Sequence, residues 1–180
     1  MRAHIDAARV RRAPELQRIV VAVDPPVTSG EDADECGIIV AGLAGDEAYV
    51  LADRSVQGLS PMAWAERVVE AAREAAADRV VVEVNQGGDL VEMLLRQVDP
   101  ALPVRKVHAT RGKFIRAEPV AALYERGLVH HVGLFAALED QMAYFTGGGT
   151  GRDDRLDALV WALTDLMLSA PAPQPRFRRV

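Results

Sequence analysis

Acidic residues stand at the ends of apolar segments, and these are the residues best suited to chemistry. Asp24 ends the segment RIVVAVD, and Glu83 interrupts the segment RVVVEV. A third group of acids opens the last helical segment and comprises Asp153, Asp154 and Asp157. Carboxylates are preferred ligands of Mg²⁺ and Mn²⁺, and acids a few ångströms apart repel unless cations lie between them. The pattern therefore predicts an oxygen-ligand site for two such ions, which can activate water and stabilise the leaving oxygen of a phosphodiester.

Each acid also has a simpler interpretation that the residues alone leave open. Asp24 could only open a turn, because Asp-Pro is common in turns. Glu83 could pair with an arginine at the end of its strand, since buried acids usually have a cationic partner. Asp153 or Asp154 could cap a helix and interact favourably with its dipole. Capping explains Asp157 less well, because it lies further along the helix beside apolar neighbours.

Apolar patterning predicts the elements that would position these acids. Runs rich in β-branched residues predict strands at 18–24, 36–43, 48–53, 79–84 and 102–108, and a short extended segment at 128–132. Helical spacing predicts helices at 60–77, 87–98, 113–126, 134–145 and 153–169. Pro119 should kink the third of these helices or mark its true start. The order predicts an α/β fold with a mixed central sheet, three initial antiparallel strands and helices on both faces.

The length of 180 residues fits one globular domain. We expect residues 1–17 to be a linker or short helix outside the core, residues 18–169 to form the domain and residues 170–180 to be a disordered basic tail. The glycines within 85–88 give the backbone freedom to approach a ligand, and the glycines of 147–151 predict a flexible loop. No N-terminal segment has the charged-then-apolar order of a signal peptide, and no apolar segment reaches the ~20 residues that cross a bilayer. With one cysteine, Cys36, it suits a reducing cytoplasm.

Positive charge is concentrated in one stretch although the net charge is −5. The basic residues of this stretch are Arg105, Lys106, Arg111, Lys113 and Arg116. Further acids lie in a loop and comprise Glu31, Asp32, Asp34 and Glu35. A basic stripe beside an acidic pocket suits a metal-dependent enzyme that acts on a polyanion. His108, His130 and His131 do not have zinc-site spacing, and Trp161 is interpreted as a packing residue.

Five segments together resemble a known family. They are RIVVAVDPP at 18–26, CGIIVAG at 36–42, VVVEVNQGG at 80–88, HATRGKFIRAEPVAALYERGLVHHVG at 108–133 and DDRLDALVWAL at 153–163. The chain resembles the nuclease domain of the large terminase subunit of tailed phages and phage-like gene transfer agents, in the RNase H-like superfamily. The resemblance covers about residues 18–168.

The resemblance implies an endonuclease that cuts concatemeric double-stranded DNA during genome packaging with two divalent cations, Mg²⁺ or Mn²⁺. The implied catalytic and metal-binding residues are Asp24, Glu83 and Asp157, with Asp154 as a close further ligand. Lys113, and with it Arg111 and Arg116, would lie near the DNA. His108, His130 and His131 are interpreted as surface or DNA-proximal residues. The implied partners are the terminase ATPase motor domain, the small terminase subunit and the portal, in the cytoplasm of a bacterial host cell.

The phosphate-binding motif of an ATPase motor, G-x-x-x-x-G-K-[ST], does not occur in the sequence. Gly112 and Lys113 are followed by Phe114, and Val107 stands where the upstream glycine is needed. We therefore expect a nuclease domain alone, without ATP hydrolysis.

Two alternatives remain open. One is another RNase H-like nuclease, such as a junction resolvase or an RNA–DNA hybrid nuclease. The other is a noncatalytic docking domain of the packaging motor, which would not respond to substitution of the acids.

Overall fold

The computed structural model describes residues 1–26, 35–84, 88–146 and 153–169. Glu31, Asp32, Asp34, residues 85–87, the predicted loop at 147–151 and the predicted tail at 170–180 lie outside these ranges. The strands are β1 (Arg18–Asp24), β2 (Gly37–Ala44), β3 (Glu47–Asp53), β4 (Arg79–Glu83), β5 (Val104–Val107) and β6 (Val129–His131). The helices are α1 (Arg2–Ala8), α2 (Pro61–Glu74), α3 (Gly88–Val98), α4 (Lys113–Glu125), α5 (Ala136–Thr146) and α6 (Asp154–Leu163), which a π-helical turn (Thr164–Leu168) extends.

The strands form one six-stranded mixed sheet in the order β5-β4-β1-β2-β3-β6. Strands β1, β2 and β3 are consecutive and antiparallel, as the sequence predicted. Strand β4 pairs in parallel with β1, and β5 pairs in parallel with β4. The extended segment predicted near residue 130 is β6, which pairs in parallel with β3. This arrangement confirms the predicted α/β class and brings the carboxyl ends of β1, β4 and β5 to one edge.

Helices cover both faces of the sheet. On one face, α2 and α3 pack against side chains of β1, β2 and β4, and this core contains Val21, Val23, Val80 and Val82. On the other face, α6 lies against the central strands, with α1, α4 and α5 around it. Every residue of α6 from Leu156 to Leu163 is buried, because the helix is enclosed by the sheet and by its neighbouring helices.

The N-terminal segment contributes to the core, which the sequence did not predict. Ile5 of α1 is buried in the same cluster as Leu138 and Met142 of α5. Val10 forms a parallel bridge with Val132, next to the end of β6. Helix α1 has seven residues, of which Ile5 is buried. A helix this short has no repeating apolar pattern that would indicate packing in the core.

His131 is fully buried, so its interpretation as a surface or DNA-proximal residue was wrong. Its Nδ1 lies 3.0 Å from Glu139 Oε1, and its Nε2 lies 2.8 Å from the Tyr124 hydroxyl. Glu139 also accepts two hydrogen bonds from Arg9, at 2.7 and 2.9 Å. A neutral imidazole satisfies both neighbours if Nδ1–H donates to Glu139 and Nε2 accepts from Tyr124. The histidine therefore joins β6 to α4, α5 and the N-terminal segment.

The stability that Glu139 contributes should depend on pH. Burial raises the pKa of Glu139, but hydrogen bonds from Arg9 and His131 outweigh it and lower the pKa to about 2. The carboxylate thus stabilises the fold above its unfolded pKa near 4.5, and this contribution is lost as the pH falls toward 2. We expect Glu139→Gln to cost up to about 3 kcal/mol at pH 6 and much less at pH 3.

Urea unfolding of the wild type and Glu139→Gln at both pH values measures this difference. Burial also lowers the pKa of His131, so the neutral imidazole persists below pH 6.5 in the fold. A difference that stays constant from pH 6 to pH 3 would contradict the assignment of Glu139.

Helix α4 begins at Lys113 and continues through Pro119. Pro119 therefore does not mark the start of the helix. Helix α2 begins as predicted, with the Ser60 hydroxyl accepting from the Ala63 amide at 3.3 Å. Within the described ranges, the helices are all too short or too polar to span a membrane.

The basic stretch predicted as one stripe divides between three places. Arg105 binds Asp165 in the π-helical turn, beside Arg79. Lys106 pairs with Glu92 of α3 at 2.8 Å. Lys113 and Arg116 instead face the acids that the sequence singled out. Strand β5 separates Arg105 from Lys106 because successive side chains on a strand point to opposite faces, while Lys113 and Arg116 belong to α4.

Candidate active site

Two of the predicted acids lie at the carboxyl ends of neighbouring parallel strands. Val23 of β1 is paired with Val82 of β4, and Asp24 and Glu83 each follow by one residue. Asp24 is half-buried, and the Glu83 side chain is 7% exposed. The strands are held by apolar residues on both faces, so they fix the backbone of both acids at one sheet edge.

The third acidic group comes to the same edge because α6 starts against β2. Gly37 is the register partner of Asp24, and it lies against the backbone carbonyl of Asp154. A Cβ atom at position 37 would collide with that carbonyl. Glycine is therefore required for this close approach of helix and strand. The first turn of α6 carries Asp154 and Asp157, so the approach places both beside Asp24.

Two cations from the first turn of α4 reach into this acidic site. Lys113 Nζ lies 2.6 Å from Asp153 Oδ1 and 2.7 Å from Asp157 Oδ2. Arg116 lies 3.2 Å from Glu83 Oε2 and 3.4 Å from Asp157 Oδ1. One guanidinium, that of Arg116, thus pairs with both Glu83 of β4 and Asp157 of α6.

Glu83 has a further partner on α6. The Trp161 indole Nε1 donates to Glu83 Oε2 at 2.5 Å, and the Arg116 guanidinium lies 4.9 Å from the centre of the same ring. The arginine expected for a buried acid is therefore present, but it comes from α4. Trp161 was interpreted as a packing residue and is also a hydrogen-bond donor in the site.

The concentration of acids shifts their protonation. Burial, followed by the charges of Asp157, Glu83 and Asp154, raises the pKa of Asp24 to about 8. Burial also raises the pKa of Asp157, although Lys113 and Arg116 oppose the shift. Burial lowers the pKa of Lys113, but its hydrogen bonds to Asp153 and Asp157 outweigh this and raise it above its ordinary value. Burial and the neighbouring carboxylates thus both disfavour the charged form of Asp24.

The donor set fits a hard divalent cation, because all its members are carboxylates and their mutual repulsion would fall on cation binding. Among the side chains that the structure describes, no three acidic, histidine or cysteine residues are spaced as ligands of one metal ion. Lys113 and Arg116 supply the balancing charge in this arrangement. The predicted ligands Asp24, Glu83, Asp157 and Asp154 therefore match a hard cation in donor chemistry but not in spacing.

The residues predicted near DNA differ in exposure. Arg111 is exposed in the segment before α4, and the Lys113 side chain is 48% exposed at the mouth of the site. The Arg116 side chain is only 11% exposed, so it faces the acids more than the solvent. The two outer residues remain the better candidates for phosphate contacts.

Replacing Trp161 with phenylalanine should destabilise the protein by about 1–3 kcal/mol, because it removes a hydrogen bond to a buried carboxylate. Trp64→Phe on α2 is a matched control, since it removes the same atoms from the opposite face of the sheet, away from the acids. Urea unfolding of both variants measures the comparison. Equal losses would mean that only the packing of Trp161 matters.

Sequence spacing could have found Trp161. Asp153, Asp157 and Trp161 follow one another at intervals of four, which places them on one side of a helix. Hydropathy alone assigns Trp161 to the core. An indole is both apolar and a hydrogen-bond donor, so its spacing from the acids indicates a polar contact as well.

The family model of the terminase RNaseH-like domain matches residues 21–166. A comparison with curated protein sequences gives no significant match. The large terminase of the thermophilic bacteriophage D6E superposes with a TM-score of 0.67 at 14% identity, over 90% of this chain and 43% of that one.

Two isolated nuclease domains are also similar. The large terminase nuclease of the thermophilic phage G20c gives a TM-score of 0.64 at 15% identity, over 83% of this chain and 82% of that one. The terminase nuclease domain of human cytomegalovirus, soaked with Mn, gives 0.63 at 14% identity, over 89% and 90%. At these identities the structures establish the fold. The chain spans less than half of the D6E protein.

Proposed function

Because this chain belongs to the terminase RNaseH-like domain family, we propose that it is the nuclease domain of a large terminase. It would hydrolyse phosphodiester bonds of concatemeric double-stranded DNA during genome packaging. The observation that carries the proposal is the meeting of Asp24, Glu83 and Asp157 at one sheet edge, with Lys113 and Arg116 between them. A noncatalytic docking domain would have no need to gather buried acids at a cost in stability.

Each residue of the site has a role in this proposal. Two divalent cations, Mg²⁺ or Mn²⁺, held by Asp24, Glu83, Asp157 and Asp154, would lower the pKa of a water and neutralise the leaving oxygen. Trp161 and Arg116 fix the Glu83 carboxylate through hydrogen bonds to the same oxygen. Lys113 balances Asp153 and Asp157 and lies at the mouth, within reach of an approaching phosphate.

DNA would be held through its backbone. Lys113 is partly exposed beside the acids and Arg111 is exposed in the segment before α4, and phosphate contacts by such residues carry affinity without reading bases. The net charge of −5 suits an isolated domain that binds DNA weakly. We propose that an ATPase motor domain, a small terminase subunit and the portal are its partners, in the cytoplasm of a bacterial host.

Cleavage of supercoiled plasmid by the purified chain tests the proposal. We expect conversion to nicked and linear forms with Mn²⁺ or Mg²⁺ and none with EDTA. Four-way junctions and RNA–DNA hybrids should be cut more slowly than duplex DNA. Faster cutting of a junction would favour a resolvase. A folded chain that cuts none of these substrates with either metal would overturn the proposal for the domain alone.

A further inference from the structure

The amino-terminal turn of α6 is held by a side chain from another helix. Gln141 of α5 accepts hydrogen bonds at its Oε1 from the backbone amides of Arg155 and Leu156, at 3.1 and 3.3 Å. The first amides of a helix have no partner within the helix, so they need one from outside. Asp153 is the N-cap residue of α6, but its side chain makes no capping hydrogen bond.

Gln141 is itself fixed by neighbouring charges. Its Nε2 donates to Glu35 Oε2 at 2.9 Å, and Glu35 is buried beside the start of β2. Arg155 binds the other oxygen of Glu35 and donates to Asp53 Oδ2 at 2.6 Å. Because the Gln141 Nε2 group donates to Glu35, the amide oxygen Oε1 is left to accept from the backbone amides of α6.

This cluster fixes the turn that carries the proposed metal ligands. On one side, Gln141 caps the amides of Arg155 and Leu156. On another side, Gly37 admits the backbone of Asp154 to the sheet. Asp154 and Asp157 lie in the same turn, so a rotation of this turn would displace both carboxylates from Asp24.

We infer that Gln141 is a positioning residue for the acidic site. By capping α6 in place of Asp153, it leaves the Asp153 carboxylate to bind Lys113 and sets the orientation of Asp154 and Asp157. The inference rests on the proposed function, because it concerns the binding of divalent cations by these acids. Side chains that orient metal ligands commonly change metal affinity by about 10–100-fold when they are replaced.

The test uses the whole chain and Gln141→Met, which fills similar volume without hydrogen bonds. Gln97→Ala is a control, because Gln97 is exposed on α3 away from the acids. Hydrogen exchange of the Arg155 and Leu156 amides reports the cap directly, and calorimetric titration with Mn²⁺ reports the acids. We expect exchange about tenfold faster and Mn²⁺ binding about tenfold weaker in Gln141→Met, with no change in Gln97→Ala.

A rescue variant separates positioning from general loss of stability. The pair Glu35→Gln with Gln141→Glu exchanges the amide and the carboxylate at their contact, and it keeps an acceptor for both backbone amides. We expect it to recover slow exchange and most of the Mn²⁺ affinity. Wild-type exchange rates in Gln141→Met, or unchanged Mn²⁺ binding despite faster exchange, would overturn the inference.

The same measurements distinguish a failure of the proposed nuclease function from a failure of the inference about Gln141. A wild-type chain that binds no Mn²⁺ would remove the metal site, and with it the positioning of metal ligands. The exchange rates would then still decide whether Gln141 caps α6.

Discussion

Asp24→Asn is expected to lower plasmid cleavage by about 10³-fold or more while the protein remains folded. Asparagine keeps the size of the side chain and removes the charge that would bind a divalent cation. Asp24 ends β1 at the edge that also carries Glu83 and the first turn of α6, and its pKa is raised by burial and then by the charges of the acids there. Its loss should therefore remove ligand charge that the other acids do not replace.

The same substitution should leave stability unchanged or increase it. In the metal-free protein, Asp24 is half-buried beside other acids, so its carboxylate is disfavoured by partial burial and by repulsion. Removing that charge should stabilise the fold by about 1 kcal/mol or more at pH 8 in EDTA. Thermal unfolding measures this gain, and divalent cations should reverse the order by stabilising only the wild type.

Asp46→Asn supplies a control, because Asp46 is exposed in the turn between β2 and β3. It should cut and unfold like the wild type. Cleavage by Asp24→Asn at the rate of Asp46→Asn would show that the site is misassigned. A large loss of stability in Asp24→Asn would mean that the carboxylate is structural.

The largest loss of stability is expected for Asp165→Ala, at about 3–5 kcal/mol. Asp165 lies in the π-helical turn after α6, and its side chain is 2% exposed. It accepts from Arg79 at 2.9 and 3.0 Å and pairs with Arg105, while Arg18 donates to the backbone carbonyls of Asp165 and Leu166. Alanine would leave these cations together without the carboxylate that balances them.

Asp140→Ala is the matched comparison for this prediction. Asp140 also pairs with an arginine, Arg2, but the two side chains are 71% and 53% exposed. Water and salt screen such a pair, so its removal should cost under about 1 kcal/mol. Urea unfolding at pH 7 compares the two variants, and similar losses would contradict the role given to Asp165.

Local patterns were sufficient to predict most of the elements and the sheet that they form. The β-branched run before Asp24 and the alternation of strand and helix after Ser60 determine burial and connectivity over short distances. The same patterns placed Asp24 and Glu83 at strand ends. They failed for α1 and for His131, because a short helix and a single polar residue carry no periodicity that indicates burial.

Spacing and resemblance together selected the acids of the site, but not their partners. Nothing local links Arg116 with Glu83, or Gln141 with Arg155. Each pair joins different elements, and contact depends on the side chain direction that the fold imposes. The basic stretch shows the same point, since Arg105 and Arg116 are near in sequence and bind different acids.

The sequence by itself determined the strands and helices, the position of the acids along them and the family resemblance, because these depend on neighbours within a few residues. The tertiary structure alone decided that Arg116 and Trp161 hold Glu83, that Gln141 caps α6 and that Asp165 gathers the arginines. The physical reason is that the strand order β5-β4-β1-β2-β3-β6 and the close approach of α6 at Gly37 bring together residues from distant parts of the chain.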